Sequence, residues 1–268
     1  MLDIEYVCIK IIVIDKKINN LRRLYMKKII FINFCLIFLQ VNAQNDLITI
    51  SGVVSDFEGN PIDSAIVELK HSDFQTAYET LTDVDGRYKL KVLKGEYIAL
   101  ASMRMDEYPL ANSVLPKNKQ RLEFWSWNVI AQEDIILNIK YHRLEIYGVN
   151  VFRIQGAAPG YTIYCRPMSL TRGFAELDEK ELSFIDLCPP PEELDIRVEI
   201  NEQPVKINMK QKIKEYVNKG ICYGYILNID LPKVQTDKDY NIFHIEMTDL
   251  KNGDKGEAVY FMKKNDYR

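Results

Sequence analysis

The sequence predicts an all-β fold with two β-sandwich domains in tandem. Three observations lead to this prediction: short segments in which apolar and polar residues alternate, turn residues that recur between these segments, and an aromatic content of 11%. Alternation with a period of two is typical of strands with one buried face, and aromatic residues favour strands. A length of 268 residues, 47% hydrophobic and 27% charged, suits two globular domains and excludes disordered, collagen-like and multi-span membrane proteins.

Residues 26–44 have the organisation of a secretory signal peptide. Two lysines precede the apolar stretch Ile29–Leu39, and Ala43 ends a cleavage site of small residues. The apolar stretch is shorter than the roughly 20 residues that span a bilayer, so an uncleaved anchor is the weaker alternative. We predict cleavage after Ala43, export to the periplasm or cell surface, and no membrane span thereafter. Because a signal peptide normally begins at the initiator, residues 1–25 are expected to be a mis-assigned start and Met26 the true one.

Charge and cysteine content restrict the partners of the mature chain. Residues 1–44 carry seven Lys or Arg and three Asp or Glu, a net charge of +4, so the overall charge of −3 leaves −7 on residues 45–268. An acidic surface predicts no binding to nucleic acid. The mature chain keeps Cys165, Cys188 and Cys222, without metal-ligand spacing, and whether two of them form a disulfide stays open.

Residues 45–140 are predicted to form the first sandwich. Its strands are expected at 48–55, 65–70, 87–92, 121–127 and 134–139. Turn residues separate them at Glu58–Pro61, Asp83–Gly86 and Lys94–Gly95. Asp83–Gly86 resembles the start of a calcium loop, but position twelve of such a loop would be Lys94 where glutamate is needed, so a hairpin turn is the prediction.

The first domain resembles a known family. The segments that carry the resemblance are Gly52–Asp56, Gly59–Ile62, Thr82–Leu90 and Gly95–Tyr97. Together they are similar to the carboxypeptidase regulatory-like domain, a transthyretin-like β-sandwich, over residues 48–139. The resemblance implies a non-catalytic accessory domain of the kind found in bacterial outer-membrane receptors and surface proteins.

Residues 141–268 are predicted to form a second, immunoglobulin-like sandwich. Its strands are expected at 144–152, 161–166, 194–200, 221–230, 241–248 and 257–263. A hairpin turn at Asn252–Asp254 would join the last two. Short helices are expected at Ala175–Leu187 and Met209–Asn218. The linker near Lys140 contains no Gly, Ser or Pro, so we expect the two sandwiches to be fixed end to end.

The candidate ligand-binding residues are Trp125 and Trp127, which a strand would place on one face. Exposed aromatic rings stack on sugars or anchor protein partners. The alternative is that these rings pack in the interior between the two domains.

A zinc site is the main catalytic alternative. His142 and Glu145 form an HxxE pair with His244 downstream, as in zinc carboxypeptidases. In a strand, however, positions three apart face opposite sides, and the second domain is too short for such an enzyme. The sequence therefore predicts no catalytic residue, no metal and no cofactor.

The sequence thus predicts an exported, non-enzymatic binding or scaffold protein of the bacterial cell envelope, with a protein or glycan as partner. The alternative is a structural subunit that assembles by edge-strand pairing. A zinc carboxypeptidase-like hydrolase is the remote alternative.

Overall fold

A computed structural model describes residues 46–109, 114–154, 156, 159–179, 186–217 and 220–264. The predicted signal peptide at 26–44, the start at Met26 and the cleavage after Ala43 lie outside the described residues. Among the helices of the described ranges, none is long and apolar enough to cross a membrane.

The described chain is nearly all β, which confirms the predicted fold class. The strands are β1 (Leu47–Ser55), β2 (Ile66–Lys70), β3 (Thr76–Leu81), β4 (Arg87–Leu93), β5 (Gly95–Met103), β6 (Phe124–Ala131), β7 (Ile135–Ile136), β8 (Ile139–Lys140), β9 (Leu144–Phe152), β10 (Tyr161–Ser169), β11 (Leu194–Ile200), β12 (Gln203–Pro204), β13 (Ile207–Val217), β14 (Gly220–Ile229), β15 (Tyr240–Asp249) and β16 (Lys255–Lys263). The α-helix α1 spans Leu170–Glu179, and short 3₁₀ turns occupy Lys117–Lys119 and Pro191–Glu193.

The strands form three sheets. The largest has eight strands in the order β12-β11-β15-β16-β6-β5-β2-β3. A second sheet has the order β4-β1-β7, with β8 also paired to β1, and a third has the order β13-β14-β10-β9. The large sheet contains strands of both predicted domains, because β6 and β16 pair in parallel, with Trp125 opposite Ala258 and Trp127 opposite Tyr260. The two predicted domains, residues 45–140 and 141–268, are called the two halves below. They lie side by side through the shared sheet, so the expectation of an end-to-end arrangement is wrong.

The two smaller sheets enclose two hydrophobic cores against the large sheet. The first core takes Tyr88, Leu90 and Val92, every second residue of β4, because alternate side chains of a strand point to the same face. The shared strand β16 contributes to both cores: Val259 and Phe261 enter the first, and its alternate residues enter the second. From Ile48 onward the chain forms one compact unit. The predicted domain boundary at 140/141 stays a prediction.

The two helix predictions have different outcomes. A helix is present near the first predicted position, but it begins at Leu170 rather than Ala175. The predicted helix at Met209–Asn218 is wrong, because residues 209–217 lie in β13, which pairs with β14 over ten residue pairs, and Asn218 lies outside the described residues. The lysines of this segment lie on an edge strand, where charged side chains are common.

Two predicted turns also have different outcomes. The turn at Asn252–Asp254 joins β15 and β16 as predicted, with Gly253 at φ +79°. The turn at Asp83–Gly86 is not a hairpin, because β3 and β4 belong to different sheets. Oδ1 of Asp83 accepts the backbone N–H groups of Asp85 and Arg87, at 3.0 and 2.8 Å, so this carboxylate closes its own turn.

Candidate functional site

Trp125 and Trp127 lie on β6 at the junction of the two halves. They project from the same face of the strand, as predicted, and their rings stack with centroids 5.0 Å apart and planes at 17°. The ring of Tyr147, from β9, contacts both edge-on at 5.7 and 5.4 Å. The two tryptophans are only 8% and 7% exposed, so most of each indole is interior. Their role as direct ligand contacts stays a prediction.

The indole of Trp125 connects two carboxyl groups. Its Nε1–H donates to Oε1 of Glu123 at 2.9 Å and to Oε1 of Glu145 at 3.0 Å. The two carboxyl groups are also within hydrogen-bonding reach of each other. We call Glu123, Trp125, Trp127, Glu145 and Tyr147 the indole–carboxylate cluster.

Both carboxyl groups of the cluster have raised pKa values. Burial, followed by the neighbouring charge of Glu123, raises the pKa of Glu145 to about 8. Burial also raises the pKa of Glu123, although the hydrogen bonds from Trp125 and Glu145 and the charge of Lys70 oppose the shift. Two close carboxyl groups resist ionising together, so the pair holds a proton near neutral pH.

A cavity of about 390 Å³ adjoins the cluster. Its described lining residues are Tyr108, Pro109, Leu122, Glu145, Met168, Ser169, Leu170, Gly173, Phe174 and Leu187. Most of this lining is apolar, and Glu145 supplies the one carboxyl group among these residues. An apolar cavity with few polar groups and a perturbed carboxyl is the usual form of a binding site.

Helix α1 forms one wall of this cavity and is held by buried ion pairs. Arg172 donates from Nε and Nη2 to the two carboxylate oxygens of Asp249, at 2.6 and 2.8 Å. Asp254 accepts from the hydroxyl of Ser169 and from the backbone N–H of Thr171, at 2.7 and 2.9 Å. Asp249 and Asp254 are buried. These contacts tie the start of α1 to the β15–β16 turn, which gives the cavity a rigid wall.

The residues of the zinc alternative have separate partners. The Glu145 carboxyl accepts from Trp125, and Nε2 of His244 lies 2.9 Å from Oε2 of Glu257. Burial lowers the pKa of His142. The charges that act on it belong to Asp254, Arg121, Glu58 and Arg143, and not to Glu145 or His244. Within the described ranges, no three His, Cys, Asp or Glu side chains are arranged to hold a metal ion.

The three cysteines of the second half are free thiols. Cys165 and Cys188 are buried, and burial raises the pKa of both, that of Cys188 to about 12. Cys222 is half-buried. Buried thiols with raised pKa values are poor nucleophiles.

A second polar feature of the junction lies at Asn128. This residue has φ +53° within β6, a backbone conformation that non-glycine residues rarely adopt. Its Nδ2 donates to the hydroxyl of Tyr260 at 2.7 Å, and that hydroxyl donates to Oδ1 of Asn150 at 3.1 Å. Beside them is a cleft of about 310 Å³, lined partly by Tyr97 and Lys263.

Sequence reasoning did not identify Glu123 or Asn128, and it considered Glu145 only as a metal ligand. One signal was available, because Glu145 lies between Leu144 and Ile146 in a strongly apolar strand. Glu123, which accepts from the same donor, lies 22 residues earlier in the chain and outside strand β9. No local pattern predicts such a contact.

Comparisons with known proteins find only weak structural similarity, at TM-scores of 0.25 or close to it. No protein-family model matches the chain, and no curated protein matches it. The resemblance to carboxypeptidase regulatory-like domains therefore stays a sequence-based expectation.

Among solved structures, the chain is similar to the major pilin subunit BcpA of Bacillus cereus, with 12% identity, a TM-score of 0.25, and coverage of 81% of this chain and 69% of that one. It is similar to a DUF3823 family protein from Parabacteroides merdae, with 11% identity, a TM-score of 0.25, and coverage of 81% and 98%. It is also similar to a putative carbohydrate binding protein from Bacteroides uniformis, with 12% identity, a TM-score of 0.26, and coverage of 80% and 98%. At TM-scores this low, the similarity carries no argument about function.

Proposed function

We propose that the protein is an exported, non-enzymatic binding protein of the bacterial cell envelope that recognises a protein or glycan partner. The observation that carries the proposal is the cavity at the junction, where the buried carboxyl of Glu145 meets apolar walls. The paired strands β9 and β10 and the anchored start of α1 hold part of the lining in place, which keeps the entropic cost of binding low. Trp125 and Trp127 support the site from within by packing against Tyr147, and Trp125 also donates a hydrogen bond to both carboxyl groups.

Tryptophan fluorescence tests binding at this site directly, because Trp125 and Trp127 are the two tryptophans of the chain. We expect a saturable change in their emission when the purified protein is titrated with its partner from fractionated envelope proteins and glycans. The variant Gly173→Leu places a large side chain in the cavity and should abolish the change in emission. The variant Gly220→Ala, whose added Cβ has nothing within 4 Å, should preserve that change. If a partner binds equally well to Gly173→Leu, the cavity is not the site. If neither the protein nor the glycan fractions bind, the proposed function is wrong.

Export has its own test. The predicted cleavage after Ala43 requires that the protein recovered from the envelope fraction begins at Gln44. Sequencing of its N-terminus and fractionation of cells that express the full chain measure this. A cytoplasmic protein with Met1 or Met26 intact would contradict export.

A second candidate function, assembly through an edge strand, is supported by β13. This eleven-residue strand pairs only with β14 within the described chain, so its other edge offers backbone groups for pairing. At its end, Tyr216 is 81% exposed.

Light scattering after size-exclusion chromatography separates the two functions. Defined oligomers or polymers that dissociate in the variant Ile213→Pro would favour assembly, because proline removes a backbone donor from the strand. A stable monomer at all concentrations would favour the binding protein.

A further inference from the structure

The cavity beside the indole–carboxylate cluster has apolar walls and one acidic corner. Leu122 supplies apolar surface from the segment before β6, Met168 from β10 and Phe174 from α1. The acidic corner is Glu145, which is 5% exposed and lies opposite Met168 in the β9–β10 pair. The phenol of Tyr108 is the other large polar group of the lining, and burial, together with the charges of Glu123 and Glu145, raises its pKa to about 12.

The acidic corner lacks a counter-ion within the described chain. No described Lys, Arg or His forms an ion pair with Glu123 or Glu145. Lys70, whose charge reaches Glu123, is already paired with Glu68. Lys117 and Arg143 lie over the ring of Phe174 on α1, with the charged groups 5.0 and 5.9 Å from its centroid.

The basic groups near Phe174 are engaged elsewhere. Arg143 pairs with Asp254 at 3.2 Å, and its Nη1 donates to the carbonyl of Lys117 at 2.6 Å. Neither Lys117 nor Arg143 is among the charges that shift the pKa of Glu145. A buried carboxyl without a cation is stabilised either by a proton or by a cationic ligand.

We propose that this cavity binds a primary ammonium group on an apolar stem, with the ammonium at Glu145 and the stem along Leu122, Met168 and Phe174. The proposal rests on the proposed function, and it names the recognised group as a lysine side chain of a protein partner. Lysine has this chemistry, because its four-carbon stem is apolar and its charged end is compact.

The geometry favours an ammonium over a guanidinium. Oε1 of Glu145 already accepts from Trp125, and Glu123 lies beside the remaining carboxyl surface. A guanidinium binds best when both oxygens of one carboxylate are available, whereas an ammonium is a compact point charge with three rotatable donors and can bind a single oxygen. Binding involves no covalent chemistry. The protonated carboxyl of Glu145 releases its proton to solvent, and the resulting carboxylate forms an ion pair with the ammonium.

The test compares n-butylammonium with n-butanol, which has the same stem without the charge. We expect a saturable change in the emission of Trp125 and Trp127 with n-butylammonium, and at least tenfold weaker binding of n-butanol. Glu145→Gln should weaken n-butylammonium binding at least tenfold, whereas Glu79→Gln, on the exposed strand β3, should leave it unchanged. Equal binding of the two probes, or unchanged binding by Glu145→Gln, would overturn the proposal.

A proton count on the wild-type chain keeps the proposal testable if Glu145→Gln does not fold. Calorimetry near neutral pH, in buffers of different ionisation enthalpy, should show close to one proton released per n-butylammonium bound. Binding without proton release would overturn the exchange at Glu145.

Binding of lysine peptides tests whether the ammonium comes from a protein partner. A blocked tripeptide with a central lysine should bind at least tenfold more tightly than the same peptide with norleucine. If n-butylammonium binds and the lysine peptide does not, the protein source is wrong and free amines are the ligand. If no amine binds while an envelope fraction still changes the emission, the ammonium proposal fails and the proposed function stands.

Discussion

Glu123 and Glu145 accept hydrogen bonds from the same donor, the Nε1–H of Trp125, at 2.9 and 3.0 Å. Glu123 immediately precedes β6 and Glu145 lies in β9. The indole N–H of Trp125 therefore links the start of β6 to β9. Because the two groups are close and Glu145 is buried, they hold a proton where isolated glutamates would be ionised.

Glu145 should make the stability of the protein fall as pH rises. Its pKa of about 8 in the folded state exceeds the ordinary value of 4.5, so the folded state keeps a proton that the unfolded state releases. The stabilisation is complete below the ordinary pKa and is lost as pH rises towards the folded value, by at most about 1.4 kcal/mol per pH unit. Urea unfolding of wild type and Glu145→Gln across this range measures the difference. The same slope in both proteins would contradict the prediction, and Glu79→Gln is the control.

The pair of His244 and Glu257 should contribute most at acidic pH. Burial lowers the pKa of His244, but the hydrogen bond and charge of Glu257, with the charges of Glu199 and Glu246, raise it overall. The charged pair is therefore fully formed below the ordinary histidine pKa and is lost as pH rises through the folded value. His244→Ala should cost about 1–3 kcal/mol near pH 5.5 and less near pH 8.5, measured by urea unfolding. An equal cost at both pH values would show that the charge does not matter.

Arg172→Ala should destabilise the fold strongly. It leaves the carboxylate of Asp249, which is fully buried, without its two-point partner. Removing one member of a buried pair typically costs about 3–5 kcal/mol. The free energy of unfolding from urea titration measures this, and Arg197→Ala, whose side chain is 75% exposed, should change it little. A loss as small as that of the control would mean that the pair does not anchor α1.

Gly256→Ala should be poorly tolerated. A Cβ at this position would lie 1.8 Å from the carbonyl oxygen of Leu144, so the strands β9 and β16 would have to separate. We expect a cost of about 1–3 kcal/mol or more. Gly220→Ala is the matched control, because nothing lies within 4 Å of its added Cβ. Equal thermal stability of the two variants would contradict the close approach.

Local patterns were sufficient to predict the fold class and most strands. In β4 every second residue is buried, and the turn at Gly253 joins β15 to β16 as its residue types predict. Local patterns failed at β13, where lysine-rich composition resembles a helix surface while pairing with β14 determines the structure. Pairing between strands overrides local preference because many backbone hydrogen bonds depend on it.

The sequence alone was enough to place Trp125 and Trp127 on one face of a strand, since the period of a strand is a local property. It could not place Glu123 beside Glu145, or join the two halves through β6 and β16, since these contacts link residues far apart in the chain. The ionisation of an acidic side chain depends on how far packing against distant residues removes its carboxyl from water. The same packing determines whether a cavity lies beside it. For that reason the candidate ligand site emerged from the folded arrangement and not from any motif.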